Sequence, residues 1–223
     1  MEPQTLWTFP RWSNRAAAGL LVGLATLPVY VGLLLAYGAN PTTLNVGYAP
    51  LQPVPYSHAQ HAGKLGIDCR YCHTTVEKAA MAALPPTEVC MNCHTVLFAN
   101  SAKLAEVRKS YVEGTPIPWV KVHNLPDYAY FNHSAHVQAG VGCIECHGPV
   151  QQMETVRTVK PLNMAWCIEC HRDPSSSLRP RDQVTNMDWT PPAEGDAARN
   201  ALGRQLRDRY HINPNTDCVT CHR

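Results

Sequence analysis

Residues 58–73 read HAQHAGKLGIDCRYCH, and residues 132–147 read NHSAHVQAGVGCIECH. Each stretch carries His-x-x-His, a short connection and Cys-x-x-Cys-His. A further motif follows each one, CMNCH at Cys90–His94 and CIECH at Cys167–His171, and a fifth, CVTCH, lies at Cys218–His222. All ten cysteines fall into these pairs: Cys69 and Cys72, Cys90 and Cys93, Cys143 and Cys146, Cys167 and Cys170, Cys218 and Cys221. Composition alone would produce about 0.02 such motifs, so chance does not explain five. The spacing is that of covalent c-type haem attachment, with two thioethers per haem and the adjacent imidazole on the iron. The proximal ligands are then His73, His94, His147, His171 and His222.

Other uses of Cys-x-x-Cys fit less well. A zinc site needs four ligands, but nothing in it requires a His after every second Cys. A redox dithiol has no need of five copies in one chain, and a disulfide framework would not keep one spacing throughout.

The chain has 223 residues and is 45% hydrophobic, with 19 Pro, 13 Gly and only three Phe. Beyond residue 37 it is short of Leu, Ile and Phe, so five porphyrins are expected to supply much of the apolar interior. The predicted fold class is a multihaem c-type cytochrome. It has one N-terminal transmembrane α-helix and a loop-rich, short-helix domain built around five haems, with little or no β-sheet. Past residue 37 there are 17 Lys and Arg against 16 Asp and Glu. Each oxidised c haem brings a charge of about −1, so the loaded domain is acidic and several cations are candidate propionate partners. The near-neutral balance gives no support for nucleic-acid binding.

Residues 16–37, AAAGLLVGLATLPVYVGLLLAY, carry no charge. As a helix they would extend about 33 Å, enough to cross a bilayer. Arg11 and Arg15 precede the run, and the next Lys or Arg is Lys64. The positive-inside bias puts residues 1–15 in the cytoplasm and the rest on the periplasmic side of the cell membrane, where c-type haem is attached. Trp7 and Trp12 suit one interface, Tyr37 and Tyr48 the other. A secretory signal is the competing reading, but the run is long for one and its cleavage-site pattern is poor. The span has no ionisable side chain, so it offers neither a haem ligand nor a proton relay.

Residues 38–57, with Pro41, Pro50, Pro53 and Pro55, read as an extended linker leading to a haem domain over 58–223. Within that domain, 58–94 and 133–171 form two similar two-haem modules, consistent with internal duplication, and 218–222 holds the fifth site. Helices are expected over Asn100–Glu113, with Leu104, Val107 and Tyr111 on one face, and over Asp196–Tyr210, with Ala197, Ala201, Leu202 and Leu206 inward. Arg199, Arg204, Arg207 and Arg209 on the second helix read as a solvated face, with propionate pairing or docking as the alternative. Residues 172–192 read as irregular.

Six further histidines are available as sixth ligands. His61, His136 and His211 precede the next haem cysteine by 8, 7 and 7 residues, and His58 and His133 by 11 and 10. That regularity marks them as distal ligands, and His123 is a weaker candidate. Met164, three residues before Cys167, is a candidate thioether ligand that would raise one potential. Its alternative role is packing against porphyrin, which is also the reading for Trp166. These side chains suffice to close all five irons, which favours electron transfer over haem-site catalysis; no catalytic residue is assigned.

The duplicated His-x-x-His arrangement resembles the class III multihaem cytochromes. HAQHAGKLGIDCRYCH, NHSAHVQAGVGCIECHG and PLNMAWCIECHRDP, together with an N-terminal anchor and a late fifth motif, look like the pentahaem cytochrome subunit of alternative complex III. The resemblance implies a menaquinol:acceptor oxidoreductase. Its expected partners are an integral membrane quinol-oxidising subunit, an iron–sulfur subunit and a monohaem cytochrome c subunit. Electrons would pass to a soluble cytochrome c, a blue-copper protein or an oxidase. Mixed bis-His and His–Met ligation in that family adds weight to Met164. The competing class is a stand-alone membrane quinol dehydrogenase feeding periplasmic reductases. It would need an ionisable quinol pocket near the membrane, whereas residues 38–63 carry no Asp, Glu, Lys or Arg.

Overall fold

The computed structural model describes residues 9–10, 12–38 and 46–222. Trp7, Arg11 and the linker stretch 39–45 with Pro41, all used in the sequence reading, lie outside the described residues. Among those described there is no β-strand; one isolated bridge pairs Val141 with Leu178. The chain divides into two units, residues 1–44 and 45–223.

The first unit is helix α1, Trp12–Leu33, continued by a π turn over Leu34–Gly38. It starts four residues before the uncharged run because Ser13 turns back on Pro10, through both its amide and its hydroxyl, and opens the first turn. Pro28 sits inside α1. No residue of α1 is buried, as suits a helix whose solvent is lipid, and it is long and apolar enough to cross a membrane.

The second unit is a string of short helices. Cys69–Cys72 (α2), Thr87–His94 (α3), Cys143–His147 (α6), Met164–Arg172 (α7) and Cys218–Cys221 (α9) carry the five motifs. Ala105–Glu113 (α4), His133–Ala139 (α5) and Asp196–Arg209 (α8) lie between them. Their starts are written locally. Asp68 accepts from the Arg70 amide, Asn132 from Ala135 and Asn163 from Trp166, each satisfying a free N–H of a first turn. Gly114 and Gly140, at φ +65° and +91°, close α4 and α5 in the left-handed conformation that glycine adopts without strain.

Both predicted interhelical segments are helical, but their inner faces differ from expectation. In α4, Val107 is buried as expected, whereas Tyr111 is exposed and Ser110 takes the inner place. The Ser110 hydroxyl pairs with Thr87 and donates to the Thr115 carbonyl, so the helix leans on α3 through a polar contact. In α8, Leu206 is buried but Ala197 is exposed, and Gly203 lies innermost. A Cβ at Gly203 would stand 1.7 Å from the Ser175 carbonyl oxygen, so this crossing needs a residue without a side chain.

The protein core lies where the composition looked least ordered. Leu178, Val184, Ser175 and Arg179, all in the segment read as irregular, are among the most buried side chains, with Met153, Val107, Leu206 and Val54. Val54 also shows that the C-terminal half of the proposed linker belongs to the body. Gly47 and Tyr48 exchange backbone bonds with Thr158, and Gln52 clamps Val120 through both amide atoms.

Candidate haem-binding sites

Each motif forms a short helix that ends at or within one residue of the proximal His, as its last residue, its C-cap or, for His171, the residue before the last. Four of the five proximal rings are fixed through Nδ1. His73 bonds the Ala83 carbonyl (2.9 Å), His94 that of Leu97 (2.9 Å), His171 that of Asn215 (2.8 Å) and His222 that of Tyr128 (3.1 Å). A carbonyl only accepts, so Nδ1 donates, which leaves Nε2 as the nitrogen a metal would take. That is the state in which imidazole binds a metal, with the carbonyl orienting the ring.

Three of the distal candidates are held in the same way. His61 Nδ1 donates to Ser57 O (2.8 Å), His136 Nδ1 to Asn132 O (2.7 Å) and His133 Nδ1 to Ala80 O (2.9 Å). Burial and neighbouring imidazoles hold His58 down to about 4 and His147 to about 3, and burial lowers His123 and His136 as well. A neutral ring is what an iron requires.

The rings oppose one another across gaps of one size. Centroids are 6.2 Å apart for His61 and His94, 6.0 Å for His136 and His171, and 6.3 Å for His133 and His147. An iron held between two imidazole nitrogens would need ring centroids about 6 Å apart. These pairs therefore fit a bis-His haem. The buried ring nitrogens His58 Nδ1 and His123 Nε2 lack a hydrogen-bond partner, which buried polar groups seldom do.

The remaining candidates stand differently. His58 lies near His73, whose charge acts on it. His123 is only 4.4 Å from His147, too close for the opposite side of the same iron. His211, in the left-handed region at φ +54°, and Met164 are both on the surface. Trp166 is half-buried on α7.

Two aromatic residues were missed by the sequence reading. The Tyr56 ring stacks on His61 (4.5 Å, 21°) and meets His58 edge-on (4.8 Å, 86°). Phe131 does the same with His136 (4.4 Å, 28°) and His133 (4.7 Å, 88°). The available signal was an aromatic residue two positions before each His-x-x-His. A second omission is the brace on α6. Buried Arg179 donates to Glu145 (2.8 Å) and Asn186 O (3.0 Å) and lies over Trp189, while Arg199 reaches the same Glu145 oxygen. Arg199 is thus tied inward, not part of a solvated face, and Arg207 bonds the Ile212 carbonyl.

Comparison with known proteins places two cytochrome matches on this chain. Residues 54–108 match the family described as cytochrome c7 and related cytochrome c, and residues 109–190 match cytochrome c552. The fold class is that of a multihaem c-type cytochrome. The cytochrome is 32% identical over 126 residues to the multihaem cytochrome c subunit of a menaquinone reductase from Nitratidesulfovibrio vulgaris, covering 54% of this chain and 58% of that one. It is also 32% identical over 71 residues to cytochrome c-552 of Desulfotalea psychrophila, covering 29% and 14%. The cytochrome therefore spans about half the length of the first relative and a small part of the second. The matched cytochrome c families indicate covalently bound c-type haem.

Proposed function

We propose that the chain is a membrane-anchored pentahaem cytochrome c that relays electrons as a subunit of a quinol-linked membrane complex. The observation that carries this reading is the set of opposed imidazoles at 6.0–6.3 Å. At His94, His147 and His171 a second ring stands where it would take the other side of a bound iron, which would leave no room there for a small substrate. Bound haem iron exchanges one electron at a time between its ferrous and ferric states. The residues hold the attachment sites close together and fix the orientation of the ligand rings through backbone carbonyls.

The helix Trp12–Leu33 supplies the anchor, with residues 1–15 cytoplasmic and the haem domain periplasmic. The five sites are the five Cys pairs with His73, His94, His147, His171 and His222. The distal set is His58, His61, His133 and His136, with His211, Met164 and His123 as the candidates that remain. The neighbours are an integral subunit that oxidises menaquinol, an iron–sulfur subunit and a monohaem cytochrome c, as in alternative complex III. A soluble cytochrome c, a blue-copper protein or an oxidase is the acceptor. The quinol releases two protons and two electrons at the integral subunit, and the electrons pass singly along this chain.

The relative named as a menaquinone reductase subunit favours a second direction, in which the same relay feeds electrons to the quinone. The potentials of the partners decide between the two directions. The test is purification of the native complex from solubilised membranes. Copurifying integral and iron–sulfur subunits, five haem masses on this chain and no carbon monoxide binding after reduction are expected. Carbon monoxide binding at an intact site would overturn the relay reading.

A further inference from the structure

Joints between the motifs can be followed through the structure, and they do not keep the order of the chain. Within the first module, Tyr56 bridges His58 and His61, His61 faces His94, and Asn92 of the second motif donates to the Tyr71 hydroxyl of the first. Within the second, Phe131 bridges His133 and His136, which face His147 and His171 respectively.

The modules are joined through the first motif. The loop after His73 holds that ring through Ala83 O, and three residues earlier it accepts both the amide and Nδ1 of His133 at Ala80 O. The same loop accepts the Ser134 amide at Ala79 O and the Gln138 side chain at Glu77 O. The fourth and fifth motifs are joined in turn. His171 is held by Asn215 O, three residues before Cys218.

We infer that the attachment sites follow one another in space in the order Cys90, Cys69, Cys143, Cys167, Cys218. The second and fifth motifs are then the two ends of the relay, and the first motif is an interior link. This inference rests on the proposed relay function. Tunnelling rates fall steeply with distance, so the order sets the path: an electron entering at one of these ends leaves at the other. Tyr56 and Phe131 are positioning residues, because each sets two distal rings that serve neighbouring sites.

The order is tested by removing single sites from the full-length protein and recording electron paramagnetic resonance of the oxidised form, in which adjacent ferric haems couple. Cys69→Ala with Cys72→Ala should leave one isolated low-spin signal, integrating to one haem, beside three coupled ones. Cys218→Ala with Cys221→Ala removes an end and should leave no isolated signal. Sites arranged in chain order would give no isolated signal in either variant, and that result overturns the inference. Should the first variant fail to assemble, the iron positions in the structure of the loaded wild-type protein decide the same point. The iron held by His94 must then have the His73 iron as its nearest neighbour, and any other nearest neighbour overturns the order. Failure of the relay reading is distinct, since it shows as carbon monoxide binding with the coupling pattern unchanged.

Discussion

In the first module the His-x-x-His pair rides on a π turn, with His58 at its N-cap and Ala59–Lys64 forming the turn; in the second it lies on the α-helix His133–Ala139. The side chains nevertheless repeat. The aromatic residue two positions earlier makes the same stacked and edge-on contacts in both modules. The residue just before the first His, Ser57 or Asn132, accepts from the second His at its carbonyl and from a first-turn amide at its side chain. Ring placement is thus the repeated quantity and the backbone is free to vary, because an iron constrains the nitrogen positions and not the helix type.

The largest effects should come from breaking the shared ligand geometry. His61→Ala and His136→Ala are each expected to convert one low-spin site into one that binds carbon monoxide on reduction, read from the visible spectrum. A response from only one of them would show that the modules are not equivalent.

Backbone contacts should come next. A Cβ at Gly63 would stand 2.2 Å from Gln151 O, and one at Gly140 would stand 2.6 Å from Arg179 O at φ +91°. Gly63→Ala and Gly140→Ala should each destabilise the loaded protein by about 1–3 kcal/mol in denaturant unfolding. A neutral Gly63→Ala would mean that the π turn is free to move off Gln151.

The side chains that accept first-turn amides should cost less. Ser57→Ala and Asn132→Ala are expected to lose about 1 kcal/mol each. A clear difference between them in the same unfolding assay would show that the two bonds carry unequal weight.

The smallest effect separates the modules by pH. Asp68 is hydrogen-bonded by Arg70, which holds its carboxyl at about 2, below the ordinary 3.8. The stability it adds is complete above about pH 4 and is lost as pH falls through about 2. The Asp68–Arg70 pair is well exposed, so the contribution is under about 1 kcal/mol. Gly142 occupies the matching place before Cys143, against the Arg179 guanidinium, and carries no titrating group. Asp68→Asn should therefore flatten the acid limb of the stability profile; an unchanged limb would exclude Asp68 as its source.

Much of the haem chemistry was legible because it is local. A Cys-x-x-Cys-His motif closes within one turn, so the attachment cysteines and proximal rings are properties of five consecutive residues. The two interhelical helices were legible for the same reason. Their inner faces were less so, since Ser110 and Gly203 are buried by what lies opposite them, Thr87 and the Ser175 carbonyl. The core at Leu178 and Val184 was hidden in a segment that looked irregular. Its burial comes from contacts distant in sequence, such as the Arg179 bridge to Glu145 and the Cys143 amide donating to Val184 O.

The sequence by itself determined how many Cys-x-x-Cys-His motifs there are and which histidines lie outside them, because motif spacing and residue chemistry act over a few positions. Only the tertiary structure decided which imidazoles face each other, which carbonyl orients each ring and which motif neighbours which. Those relations are distances between segments up to about a hundred residues apart, such as Tyr128 and His222, and packing sets them, not spacing along the chain.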